Sequence, residues 1–300
     1  MTTILSGAPG APAYPHVVDL DALRPRFDVL IDELSSQPFS TGALSMALAG
    51  GVSDAAAILR AIPIQEGRLL ERGIGIIADL NPDLVVLTQN LRLPVTKTAL
   101  ELVEKNDPKH FRSLTLDADT GGRKTYTPDL ILVNRKTKLA HVIDVKRSLG
   151  SYEVSRINDL KSRMLAAALV VPDLLYRDHH RLVAEEVRVV ILNAENQRAD
   201  IAGGVWPLSD LDHLVEVGGA GKAIGMLRER FHGRIDENWK LARNAFAGSK
   251  EPGRRGAPAD IADANGNETC DSGSITEVHQ PAGRGQIRVG FARVPQAGTG

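Results

Sequence analysis

The stretch LAHVIDVKRS, residues 139–148, reads as a core strand carrying two charges that such strands normally exclude, Asp144 and Lys146. Side chains alternate across a strand, so Ala140, Val142, Asp144 and Lys146 share one face, and His141, Ile143 and Val145 share the other. Both faces are mainly apolar, the pattern of a strand covered on both sides. A carboxylate buried there without a partner carries a heavy desolvation cost. Asp144 therefore calls for a partner. Lys146, next but one along the strand and about 6–7 Å away at the backbone, is an imperfect one.

The run before it, TYTPDLILVN (residues 125–134), supplies another candidate. Asp129 follows Pro128 and precedes an apolar run, and RKT (residues 135–137) turns the chain back toward a hairpin. With the two strands antiparallel, Asp129 approaches Asp144 from the neighbouring strand. Two carboxylates facing one spot repel each other unless a cation lies between them. Hard oxygen ligands favour Mg²⁺ or Mn²⁺. A lysine beside a metal-bound water can orient that water, or lower its proton affinity further, for attack on phosphorus.

Pro128-Asp129 followed by Asp144-Val145-Lys146 resembles the PD-(D/E)xK nuclease superfamily, in the form whose second acid is Asp. The resemblance covers about residues 66–196 and implies an α/β fold of the restriction-endonuclease-like kind. That fold has an αβββαβ core and a mixed central sheet flanked by helices, with the motif on a β-hairpin. The resemblance implies that Asp129 and Asp144 bind the divalent metal, with Val145 as a further ligand, and that Lys146 serves the attacking water. It also implies that an acid from the preceding helix completes the catalytic set. IQEGRLLERG (residues 64–73) offers Glu66 first and Glu71 second. Glu66 lies 63 residues ahead of Asp129, and Glu101 and Glu104 on a nearer helix are alternatives. The implied activity is Mg²⁺-dependent hydrolysis of phosphodiesters by a metal-activated water, leaving 5′-phosphate ends. DNA is the implied substrate, with RNA not excluded and endonuclease or exonuclease action left open. A second class is a non-catalytic nucleic-acid-binding or assembly protein that retains the fold.

As bare text the motif is short. Pro-Asp occurs three times, at Pro82-Asp83, Pro128-Asp129 and Pro172-Asp173, and Asp-x-Lys also occurs three times, beginning at Asp107, Asp144 and Asp159. Context separates them: Asp107 is followed by Pro108 in a polar loop, and Asp159 falls in a helical pattern. Only Asp129 with Asp144 and Lys146 joins two consecutive apolar strands. VGGAGKA (residues 217–223) falls short of a phosphate loop, with Glu216 where the first Gly should stand and Ala223 in place of Ser or Thr. It reads as a break between helices. RDHHR (residues 177–181) holds adjacent histidines that point in different directions, a poor metal pair and a solvated loop. Asp117 and Asp119 flank a Gly-Gly turn and read as turn chemistry, within reach of a second metal.

Around the motif, residues 82–90 are strand-like and residues 94–106 read as a helix opening on Pro94. Three β-type runs follow, FRSLTLDAD, KTYTPDLILVN and KLAHVIDVKRS, then a helix over residues 151–171 that ends before Pro172. A buried strand over residues 186–196 and closing helices complete a mixed α/β layer arrangement. Residues 1–17 form a flexible N-terminus and 18–246 the nuclease-like domain. Residues 247–300 are a low-complexity tail too poor in apolar residues to order itself. Within that tail GQIRVGFARV (residues 285–294) alternates and could add an edge strand or dock on a partner.

The composition is globular, 43% hydrophobic and 24% charged, and a net charge of −1 excludes a globally basic nucleic-acid binder. Residues 101–164 nevertheless hold 13 Lys/Arg against 9 Asp/Glu, a local excess beside the motif of the kind a phosphodiester needs. Arg147, Arg156 and Lys161 are the candidate phosphate contacts. Cys270 is the only cysteine, which excludes a disulfide framework and fits a reducing, cytoplasmic setting. No signal peptide and no membrane span are expected. A homodimer is the assembly that a double-strand cutter would call for.

Overall fold

The structure is a computed structural model and describes residues 14–88, 91–106, 116, 124–195, 199–248 and 287–294. In chain order it begins with β1 (His16–Val17), α1 (Leu20–Ser35), α2 (Thr41–Gly50) and α3 (Val52–Ala78). Then follow β2 (Leu84–Leu87), β3 (Leu93–Val95), α4 (Lys97–Lys105), β4 (Lys124–Tyr126), β5 (Leu130–Asn134) and β6 (Leu139–Lys146). After β6 come α5 (Val154–Ala168), α6 (Val171–Asp178), β7 (Glu186–Asn193) and β8 (Val205–Pro207). A 3₁₀ turn (Leu208–Leu211), α7 (Asp212–Val215), β9 (Val217–Gly218), α8 (Ala220–Gly248) and β10 (Arg288–Phe291) close the described chain.

The central sheet runs in the order β10-β7-β6-β5-β2 and is mixed. β2 pairs antiparallel with β5, and β5 antiparallel with β6. β6 then pairs parallel with β7 along its whole length. The crossover between those two parallel strands carries α5 and α6, as a parallel pair requires. Both faces are covered. On one, Leu130, Leu132, Ile143, Val145, Val190 and Leu192 pack against apolar residues of α1, α3 and α8. On the other, Ile131, Val133, Val142, Val189 and Ile191 pack against α5 and α6. This is why β5 and β6 read as near-continuous apolar runs.

Several sequence expectations shift. Residues 124–134 are two strands, because the chain leaves the small β3–β4 sheet at Tyr126 and enters the central sheet at Leu130. β2, rather than the run at 111–119, is the described strand beside β5. That run lies outside the described residues except for Leu116, as do Asp107, Asp117, Asp119 and Cys270. Pro94 does not open a helix: it sits within β3, and the Thr96 hydroxyl caps α4 by accepting the Ala99 N–H at 3.0 Å. Pro172 opens α6 instead of closing α5, since a proline in the first helical turn forfeits no hydrogen bond. The segment 287–294 joins the fold, with β10 parallel to the first half of β7 while β8 covers its second half. Together they blunt an edge that would otherwise expose unpaired backbone groups.

Residues 217–223 have a structural explanation. The Asp212 carboxylate accepts the backbone N–H groups of Gly219, at 2.7 Å, and of Gly221, at 2.6 Å, and so occupies the start of α8. Gly221 is required there, because a Cβ would lie 2.1 Å from the Ser209 carbonyl oxygen.

His141 sits inside the sheet, and burial, aided by the Arg188 guanidinium, pushes it down to about 3. The folded state therefore holds the ring neutral while the unfolded chain protonates near pH 6.5. The resulting stability is present above that pH and lost as pH falls toward 3. Between pH 6.5 and 4.5 the expected loss is about 2–3 kcal/mol. Urea unfolding of wild type and His141→Leu across that window checks it, the variant showing the flatter profile.

Candidate active site

The charged cluster forms where β5 begins and β6 ends. The last ladder pair is Leu130 with Ile143, so Asp129 and Asp144 face each other one step beyond it. The Asp129 N–H still donates to the Ile143 carbonyl, at 3.1 Å. Its carboxylate Oδ2 then accepts the Val145 N–H at 2.6 Å, satisfying a donor that lies past the end of β5. Pro128 sets this up by holding the residue before it extended, so the chain passes from one sheet to the other without a helical turn.

Asp144 is 4% exposed and bound on both oxygens. Oδ2 accepts the Tyr126 hydroxyl at 2.8 Å, and Oδ1 is in direct contact with the Lys146 ammonium. Burial, then the Asp144 charge and hydrogen bond, pushes the Tyr126 phenol far up, so it remains a neutral donor. Burial alone would lower Lys146. The Asp144 charge and hydrogen bond, with Asp129 behind them, reverse this and hold it above the usual lysine value. Lys146 is thus an ammonium and can donate but not accept a proton. Burial and the facing Asp144 charge raise Asp129, against the Val145 N–H and Lys146.

The helix acid within electrostatic reach of this cluster is Glu71, whereas Glu66 is committed to other partners. Burial first and the Asp129 charge second push Glu71 up to about 7, and both Lys146 and Asp144 are also within electrostatic reach. Glu66 is fully buried one and a half turns earlier, held by Arg228 Nε at 2.5 Å and His232 Nε2 at 3.3 Å. Burial would raise Glu66, but these hydrogen bonds hold its carboxyl below the ordinary value. Arg228 also donates to the Ala194 carbonyl at 3.0 Å, so Glu66 fastens α3 and α8 to the end of β7. The other two acids weighed in the sequence stand apart: Glu104 is exposed on α4, and Glu101 pairs with Lys97 and Lys105 there.

Of the candidate phosphate contacts, Arg147 and Arg156 are exposed, Arg147 lying 3.9 Å from Glu195. Lys161 is a correction: it is tied to Asp200 at 3.3 Å and lies over the Phe291 ring, 5.7 Å from its centroid. It anchors β10 and leaves little ammonium to offer an anion. Tyr126 was missed from sequence, since nothing in KTYTPD distinguishes a hydroxyl that binds Asp144 from an ordinary strand tyrosine. Arg68 and Tyr152 were also missed, and both bear electrostatically on the cluster, through Glu71 and Lys146 respectively.

The donor set suits a hard divalent cation. Glu71, Asp129 and Asp144 all lie within electrostatic reach of the Lys146 ammonium, and Glu71 and Asp129 are raised first by burial and then by neighbouring carboxylates. In an extended strand a residue's C=O points to the same side as its N–H, so the Val145 carbonyl lies on the Asp129 side. Among the described residues no three His, Cys, Asp or Glu side chains converge as a ready-made cage. Mg²⁺ needs none, because it is commonly held by one or two carboxylates and completed by waters and substrate phosphate.

The chain matches no family model, and neither the curated proteins nor the solved structures compared with it give a match. Among the described residues no helix is long and apolar enough to cross a membrane.

Proposed function

We propose that the chain is a metal-dependent nuclease that hydrolyses DNA phosphodiesters at the Asp129/Asp144/Lys146 cluster. The observation that carries this reading is the facing of Asp129 and Asp144 across paired strands, with the Lys146 ammonium on the same face and Glu71 adjoining. The topology supports it too. Leaving aside β3, α4 and β4 as an insertion, α3, β2, β5, β6, α5 and β7 follow an αβββαβ order. Its three consecutive strands form an antiparallel meander, and its last strand joins parallel, as the restriction-endonuclease-like core would require.

In this reading Asp129, Asp144 and the Val145 carbonyl hold Mg²⁺ or Mn²⁺, with Glu71 completing the acidic set. Bound there, the ion would supply an acidified water and neutralise charge on the phosphoryl oxygens. The chain's own groups position the rest. Tyr126 and the Val145 N–H fix the carboxylates, so they need not reorganise as charge develops. Lys146, held as an ammonium, donates to the attacking water or to a phosphate oxygen. Arg147 and Arg156 bind flanking phosphates. Cutting both strands of a duplex would call for two such sites, hence a homodimer.

The test is a cleavage panel of plasmid, single-stranded and branched DNA and single-stranded RNA, with Mg²⁺, Mn²⁺ or EDTA. Cleavage with either metal, 5′-phosphate ends and silence in EDTA is the expected outcome. The Lys146–Asp144 contact, which closes the acid pair, favours a second reading, a nucleic-acid-binding protein without catalysis. Binding of a substrate without cleavage under any condition would select it.

A further inference from the structure

A concave site lies at the other end of β6 from the charged cluster. A cavity of about 410 Å³ opens between the β5–β6 turn, the loop after α6 and the edge strand β2. Val85 and Leu87 contribute apolar surface, and Arg135, His179, His180 and Arg181 supply polar, basic groups. Lys138 also lines it, eight residues before Lys146, so the two sites stand roughly 25 Å apart along the strand.

Among the described residues no carboxylate lines this cavity. The acids nearest in sequence are already engaged: Asp83 with Lys136, Glu185 with Lys138, and Asp178 with Arg177. Among the described residues neither Arg135 nor Arg181 has a carboxylate partner. The backbone gives a second, independent observation. Of the four non-glycine residues with positive φ among the described residues, three line this cavity: Lys138 (55°), His180 (53°) and Arg181 (61°). Glycine adopts that conformation without strain, whereas L side chains do not. The fold thus keeps an imidazole and a guanidinium where glycine would be easier to accommodate. Strained side chains gathered around one concavity point to use rather than to packing.

We propose that this cavity binds the phosphate group of a nucleotide unit, either a free nucleotide or one within a nucleic-acid strand. Arg135 and Arg181 take the phosphate, since a guanidinium matches two phosphate oxygens at once. The imidazoles and the aliphatic surface take the base and sugar. Neither metal nor the Asp144 cluster is needed for this binding.

The test is fluorescence anisotropy of the full chain in EDTA with two probes, fluorescein-labelled ATP and a short fluorescein-labelled deoxyoligonucleotide. The variants are Arg135→Ala and the double variant Arg135→Ala/Arg181→Gly. Wild type should bind at least one probe. ATP binding identifies a free nucleotide as the source, and binding of the oligonucleotide alone identifies a strand. Arg135→Ala should weaken binding by at least about tenfold and the double variant by more. The double variant's Tm should be no lower than wild type, because Arg181→Gly relieves a strained φ. Arg135→Ala should keep wild-type metal-dependent cleavage, so its loss of probe binding stands apart from the Asp144 cluster. Failure of wild type to bind either probe would overturn the proposal. So would unchanged affinity in Arg135→Ala or the double variant.

Discussion

Lys146→Ala should lower metal-dependent phosphodiester cleavage by about 10²–10⁴-fold, the range associated with loss of a group that moves or orients a proton. The chain should remain folded. Lys146 is partly exposed and touches Asp144, whose other oxygen keeps its hydrogen bond from Tyr126. The stability cost is that of leaving one buried carboxylate half-satisfied, about 1–3 kcal/mol. A double variant separates the two effects. Asp144→Asn/Lys146→Gln replaces the ion pair by neutral groups and should recover most of that stability while staying inactive. If the double variant recovered activity together with stability, the pair would be a structural brace. Thermal unfolding and single-turnover cleavage, measured on the same preparations, decide between these.

The second large effect sets two glutamates of α3 against each other. Glu66→Ala leaves the Arg228 guanidinium facing an empty, buried position, and breaking such a pair costs about 3–5 kcal/mol. For a domain of this size that is a fall in Tm on the order of 10 °C. Glu71→Gln should do the opposite. Its carboxyl is raised to about 7, so the folded state retains a proton that the unfolded chain sheds near pH 4.5. The associated stability is present below pH 4.5 and is lost as pH rises through 7. Glu71→Gln escapes that loss and should be at least as stable as wild type at pH 8, while losing cleavage. A Glu66 variant that kept its Tm, or a Glu71 variant that kept full cleavage, would reverse the assignment of the helix acid.

The reading of α3 shows where sequence pattern stops. Period-2 alternation placed Asp144 and Lys146 on one face, and an antiparallel turn brought Asp129 opposite, because strand geometry leaves little freedom once both faces are buried. On a helix, a carboxylate's partner depends on what crosses above it. Glu66 and Glu71 sit in one amphipathic run, and only the position of α8 commits Glu66 to Arg228 and His232. No local signal in residues 64–73 carries that information. Lys161 was misread for the same reason, since Asp200 and Phe291 approach it from 39 and 130 residues downstream. Prolines misled at Pro94 and Pro172, where strand pairing and a new helix start accommodate the ring at positions that cost no backbone bond. The alternation in residues 285–294 was legible as an edge strand, but its pairing with β7 in parallel was not, because register lies in the partner.

The most direct test of the Asp129/Asp144/Lys146 cluster as a hydrolytic site is plasmid nicking by wild type and Asp144→Asn. The two are purified in parallel, shown to have matching far-UV spectra, and assayed in Mg²⁺ and in EDTA. Wild type should convert supercoiled plasmid in Mg²⁺ alone, and Asp144→Asn should remain at the EDTA background. Equal nicking by the two proteins would trace the activity to something other than this cluster and contradict the assignment.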